Sequence, residues 1–138
     1  MQIDNLYLRI SILVPGADCD TFDDWYDNMA WRDIRTKPTE AELLAITEAD
    51  VELYIKRRTM KCSASKFRRA LTSLGHRGAV ESAINSRGQD AKDVWDFENE
   101  FLRNGQLTVQ LTGILGLTEI EMDAIFDLAI SLDDRLPP

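Results

Sequence analysis

The feature that most constrains this chain is the segment Thr118-Glu119-Ile120-Glu121, which follows Gly116 by two residues. A threonine with a glutamate three positions later makes a capping box: the hydroxyl accepts an orphan backbone N–H, and the carboxylate reaches back to the cap residue. Apolar residues fall at helical spacing on both sides of it. Leu107, Leu111, Ile114 and Leu115 precede the glycine, and Met122, Ile125, Leu128, Ala129 and Leu132 come after it, so the pattern predicts a helical hairpin with Leu117 stapled onto Met122. Ile120, Phe126 and Ile130 lie off the second stripe, so this helix is expected either to sit centrally or to offer a face to a partner.

Similar start signals recur upstream. Thr39-Glu40-Ala41-Glu42 is a second capping box, opening a short helix after Pro38, and Thr47 with Asp50 marks another start, with Ile46 placed to staple onto Val51. That helix is expected to run toward Leu74 with a break near Ser63. Gly75, Gly78 and Ser86-Arg87-Gly88 punctuate the middle of the chain, a further helix is expected from about Asp90 to Arg103, and Asn104-Gly105 stops it.

The N-terminal part reads differently. Leu6, Leu8, Ile10 and Ile12 alternate with Tyr7, Arg9 and Ser11, and Pro15-Gly16 closes the run, so the pattern predicts a strand. An acid-rich loop from Asp18 to Asp24 leads to a second extended stretch at Met29 to Ile34. Two short strands are marginal alone and need helices or a partner's sheet. The expected fold is therefore mainly α, a helical bundle of four to six helices with a short N-terminal β element. The expected division is a strand and loop segment at 1–37, able to contact a partner, and a helical domain at 38–138.

At 138 residues and 44% apolar, the chain can build a real core. The apolar run from Leu6 to Val14 is broken by Arg9 and Ser11, and the first four residues carry no basic region. Neither secretion nor membrane insertion is expected. Cys19 and Cys62 fit no metal or disulfide framework, so free thiols in a reducing compartment are expected.

Charge is laid out in three blocks. Residues 1–55 carry a net -8, residues 56–78 carry eight basic side chains and no acid, and residues 79–138 carry -8 again. The simplest account of the central block is a helix whose charges are met by neighbouring segments or by a second copy.

Candidate chemistry does not assemble. His76 sits between Gly75 and Arg77 and reads as a solvated turn residue; no orienting carboxylate or family signature accompanies a Cys62–His76 pair. Asp18, Asp20, Asp23 and Asp24 lack the glycine and glutamate positions of a calcium loop. No phosphate loop or nucleophile elbow is present. Catalytic, cofactor-binding and metal-binding residues are all expected to be none, and the chain is not expected to be an enzyme.

Two segments, Ala64 to Ile84 and Leu107 to Ile130, resemble helix-turn-helix units. In the second, the helix that would enter DNA carries Glu119, Glu121, Asp123 and Asp127 and would repel phosphates. The first keeps Lys66, Arg68, Arg69 and Arg77, mostly on its first helix, where backbone contact suits them better than base reading. A DNA-binding regulator is thus a remaining alternative, and nucleic acid is disfavoured as a partner.

Ala30-Trp31-Arg32-Asp33 followed by Lys37-Pro38-Thr39-Glu40-Ala41-Glu42-Leu43 resembles a segment of small proteins encoded among the tail and tail-fibre genes of tailed bacteriophages. The segments Phe67-Arg68-Arg69-Ala70-Leu71, Val94-Trp95-Asp96-Phe97-Glu98, Leu115-Gly116-Leu117-Thr118 and Met122-Asp123-Ala124-Ile125-Phe126 are similar to the C-terminal half of such proteins. The resemblance implies a virion component of the tail region, or alternatively a tail or tail-fibre assembly chaperone that leaves the particle. The location would be the virion or the host cytoplasm during assembly. The implied partners are other phage structural or assembly proteins, with the chain a homo-oligomer or part of a larger assembly and no membrane involved. The residues offered for contact are Trp25, Tyr26 and Trp31, suited to sheet addition, and Arg57, Arg58, Arg68 and Arg69, suited to an acidic neighbour.

Overall fold

A computed structural model describes residues 1–133 and is mainly helical, with two short antiparallel strand pairs. Eight α-helices occur among the described residues, more than the four to six that the sequence pattern resolves, because several are only five to ten residues long and are separated by tight turns. The chain divides into two compact units, Met1–Lys56 and Arg57–Pro138. Pro38, where the helical signals begin, lies inside the first.

In the first unit the run expected as a strand is a helix, α1 (Leu6–Leu13). Both periodicities share Leu6 and Ile10, four residues apart, so alternation alone could not separate them. What decides is Arg9, a polar position in the strand reading but buried in the structure with Leu6 and Ile10 on one helical face. Its guanidinium is satisfied: Nε donates to the Asp4 carbonyl at 2.7 Å, Nη1 to the carbonyls of Leu43 and Ile46, and Nη2 to Glu48 at 3.2 Å. Asn5 precedes the helix in the left-handed conformation, and the Asp24 carboxylate accepts the Leu6 N–H.

Strands β1 (Cys19–Asp20) and β2 (Ala30–Trp31) pair antiparallel, with Cys19 opposite Trp31 and Asp20 opposite Ala30. The second extended stretch is therefore real but only two residues long. Helix α2 (Glu40–Leu44) begins at the expected place with half of the expected capping box: the Thr39 hydroxyl accepts from the Glu42 N–H at 3.1 Å, and the Glu42 carboxylate accepts from that hydroxyl at 3.2 Å instead of from the Thr39 N–H. Helix α3 (Glu48–Thr59) starts with Thr47 and Asp50 in reciprocal hydrogen bonds of 2.9 and 3.1 Å. Ile3, Leu6, Ile10, Cys19, Met29 and Leu43 form the core of this unit.

The helix expected to run toward Leu74 with a break near Ser63 ends at Thr59; the interruption is strand β3 (Lys61–Ser63), and helix α4 (Ala64–Ser73), capped by Ser63, follows it. Helices α5 (Arg77–Asn85) and α6 (Gln89–Phe97) come next. The helix expected to reach Arg103 stops at Phe97, and Glu100–Leu102 form β4, antiparallel to β3. Phe101 therefore enters the core from a strand: it stacks on Phe67 at 4.3 Å between ring centroids and meets Trp95 edge-on at 5.7 Å.

The predicted hairpin is α7 (Gln106–Leu115) and α8 (Glu119–Ser131), with both hydrogen bonds of the Thr118–Glu121 capping box present. Gly116 ends α7 at φ +65°, a conformation that a Cβ would strain. Helix α8 packs mainly on α4 and β3, which accounts for an apolar surface wider than one stripe. Met122, Ile125, Phe126 and Ala129 are all buried, whereas Ile120 and Ile130 are exposed. No helix among the described residues is long and apolar enough to cross a membrane.

Candidate contact surface

Two neighbouring depressions in the second unit, of about 570 and 530 Å³, share Val94, Leu107 and Gln110 and so form one groove along α6, β4 and α7. Ile84, Ala91, Leu111 and Ile114 make the floor at one end, with Arg87 beside them. Phe101, Leu102 and Thr108 line the other end, with the carboxylates of Glu98 and Glu100. Phe97 lies one helical turn beyond Val94 and is 77% exposed. Val94 and Leu102 are also more than half exposed. Large apolar side chains left in water around an apolar depression mark a surface suited to protein contact.

A tight turn bounds the β4 end of the groove. The Thr108 hydroxyl donates to the Leu102 carbonyl at 2.6 Å, and the Gly105 N–H donates to the same oxygen at 3.0 Å. A Cβ on Gly105 would sit 3.2 Å from that oxygen and 3.3 Å from the Leu102 Cβ, so glycine lets α7 begin close against the end of β4.

Behind β4 lies an ion network. Asp123 on α8 accepts from Arg57 Nη2 at 2.7 Å and from Arg103 Nε at 2.7 Å, and Arg103 Nη2 reaches Glu119 at 2.6 Å. Burial pushes the Asp123 carboxyl up, but the hydrogen bonds and charges of the two arginines outweigh it and hold the pKa below the ordinary carboxylate value. In the sequence Asp123 is one acid among several on α8, off the apolar stripe like Phe126, and no signal there sets it apart; the structure buries both.

The basic residues expected to meet an acidic neighbour are engaged within the chain. Arg57 is bidentate to Asp123, Arg68 donates to the Trp95 carbonyl and lies 5.0 Å from its ring, and Arg69 donates to the Asp133 carbonyl at 2.6 Å. Arg58 is exposed on α3 and also has a partner within the chain. Arg77 pairs with Glu81 at 2.6 Å, and Glu81 in turn accepts from the Trp95 indole. His76, half-buried, opens α5.

In the first unit the three aromatics differ. Trp25 is exposed, whereas Tyr26 and Trp31 are half-buried against the core. The Tyr26 hydroxyl donates to the Pro38 carbonyl at 2.6 Å under the Lys37 ammonium, and the Trp31 indole donates to the Arg35 carbonyl at 2.9 Å. Phe22 and Ile34, which the sequence does not single out, are more exposed than Trp25. The acidic loop is bridged by Arg32, which pairs with Asp18 at 3.1 Å and Asp20 at 2.8 Å. Among the described residues no group of three or more histidine, cysteine or acidic side chains is arranged to hold a metal ion.

No family model, curated protein or solved structure matches the chain.

Proposed function

We propose that the chain works by protein–protein contact rather than catalysis, as a component of a tailed-phage tail region that remains in the virion. The observation that carries the contact reading is the groove of the second unit, lined by the exposed side chains of Val94 and Leu102, with exposed Phe97 one helical turn from Val94. Burial of such side chains contributes about 25 cal/mol per Å² removed from water, so an exposed cluster of them favours a partner. The assignment to a phage tail rests on the resemblance of the Ala30–Leu43 and Phe67–Phe126 segments.

An assembly chaperone would use the same surface and leave the particle. DNA binding is less well supported, because Arg68, Arg69 and Arg77 would have to exchange their internal partners for phosphates.

Quantitative mass spectrometry of purified particles tests this, comparing copies of this chain with a tail protein of known stoichiometry. A fixed symmetric ratio makes the chain a virion component. Occurrence only in infected-cell lysate makes it an assembly factor, and absence from both sinks the tail reading. Phe97→Asp should abolish incorporation while leaving the far-ultraviolet circular dichroism unchanged.

A further inference from the structure

Among the described residues strand β4 has one partner in its sheet, β3, and its register fixes which backbone groups point the other way. The pairing sets Phe101 opposite Cys62, and the flanking hydrogen bonds run from the Arg103 N–H to the Met60 carbonyl at 2.9 Å and from the Ala64 N–H to the Asn99 carbonyl at 2.9 Å. Residues 99, 101 and 103 thus exchange hydrogen bonds with the β3 side. Glu100 and Leu102 occupy the alternate, non-bonded positions, with their N–H groups directed away from β3. The Leu102 carbonyl is used by Thr108 and Gly105. The Glu100 N–H and carbonyl and the Leu102 N–H remain on an edge that borders the groove.

We infer that β4 receives an extended segment of a partner protein, which adds as a further strand along Glu100–Leu102 and alternates apolar with basic side chains. This deepens the contact reading above and rests on it. The alternation comes from the pleat. Side chains on the same face as buried Phe101 would enter the groove beside Val94 and Leu107, so they should be apolar. On the opposite face Glu100 and Leu102 stand side by side, with Glu98 close by, so the side chain that meets Glu100 should be basic and the one that meets Leu102 can stay aliphatic, as the stem of a lysine does. Lys61 stands 4.0 Å from the Glu100 carboxylate in an exposed pair, which leaves that carboxylate open to a second cation. A second copy is a poor occupant. Edge-to-edge pairing would put both Glu100 carboxylates on one face of the joined sheet and join two chains of net charge -8.

The test titrates the full chain with a capped peptide of alternating lysine and valine, about six residues long, and reads amide exchange by NMR. Saturable binding that slows exchange at Glu100 and Leu102 is expected. Leu102→Pro, which deletes an edge N–H that β3 does not use, should weaken binding at least about tenfold. Glu100→Lys should weaken the lysine peptide and strengthen a glutamate-valine peptide. The proposal is overturned by the absence of saturable binding up to about 1 mM. It is overturned equally by binding that leaves both amides exchanging as in the free protein, or by indifference to the Glu100→Lys swap. None of these results bears on the particle stoichiometry that tests the contact reading itself.

Discussion

Arg103 and Asp123 form a 2.7 Å ion pair between side chains that are 3% and 11% exposed. Arg57 shares the same carboxylate and Glu119 takes the other side of Arg103, so the pair is part of a network tying the last turn of α3, the end of β4 and α8 together. Removing one member of such a network leaves buried charge uncompensated. Asp123→Ala should destabilise the second unit by about 2–4 kcal/mol, read as a lower urea midpoint with an unchanged slope. A loss below about 0.5 kcal/mol would mean that water already satisfies both arginines.

The same carboxylate sets an acid response. Its pKa in the fold lies below the ordinary value, so its contribution to stability is fully present above the unfolded carboxylate value of about 3.9 and is lost as pH falls through the lower folded value. Glu81 behaves alike, its pKa lowered chiefly by the hydrogen bond from Arg77. Urea midpoints measured from pH 6 downward should therefore fall below about pH 4. The decline should be shallower in Asp123→Asn, and equal slopes for the two proteins would remove Asp123 as a cause.

The legible parts of this fold are those governed by local backbone chemistry. Thr39, Thr47 and Thr118 cap helices as their spacing implies, because each cap needs only the next three residues. The strands are poorly legible. Segment 61–63 carries no alternation strong enough to outweigh the helical residues around it, and its pairing with Glu100–Leu102 depends on a partner distant in the chain. The groove is legible only in part: Leu107 and Leu111 fall on an apolar face in the sequence pattern, whereas Phe97 reads as part of a longer helix. That helix stops, and the ring is left in solvent.

Arg9 shows how a polar residue can decide an element. With an apolar residue there, the carbonyls of Asp4, Leu43 and Ile46 would each lose a donor, although the helix itself would keep its apolar face. Arg9→Met should destabilise the first unit by about 2–4 kcal/mol, and hydrogen exchange should place the loss in residues 1–56. Lysine should rescue only a fraction, because one ammonium cannot reproduce the fork that reaches separate carbonyls. Full rescue by lysine would show that charge near Glu48, and not the fan of hydrogen bonds, is what matters.

Cys62 offers a probe of the β3–β4 ladder. Both cysteines are free and buried, and burial, followed by the charge of Glu100, pushes the Cys62 thiol up to about 11. The thiolate is the reactive form, so at pH 8 the folded chain should react with a disulfide reagent far more slowly than the unfolded chain. Cys19, also raised and chiefly by burial, should be slow as well, so Cys19→Ser isolates the signal. In that background, Phe101→Ala removes the ring that stacks on Phe67 and should cost about 3–5 kcal/mol, exposing Cys62 opposite it in the ladder. Labelling at Cys62 should then accelerate by orders of magnitude, while Ile120→Ala, at an exposed position on α8, should leave it unchanged. Fast labelling of the Cys19→Ser protein without any core substitution would show that the ladder opens freely, and would remove the rigid edge on which strand addition depends.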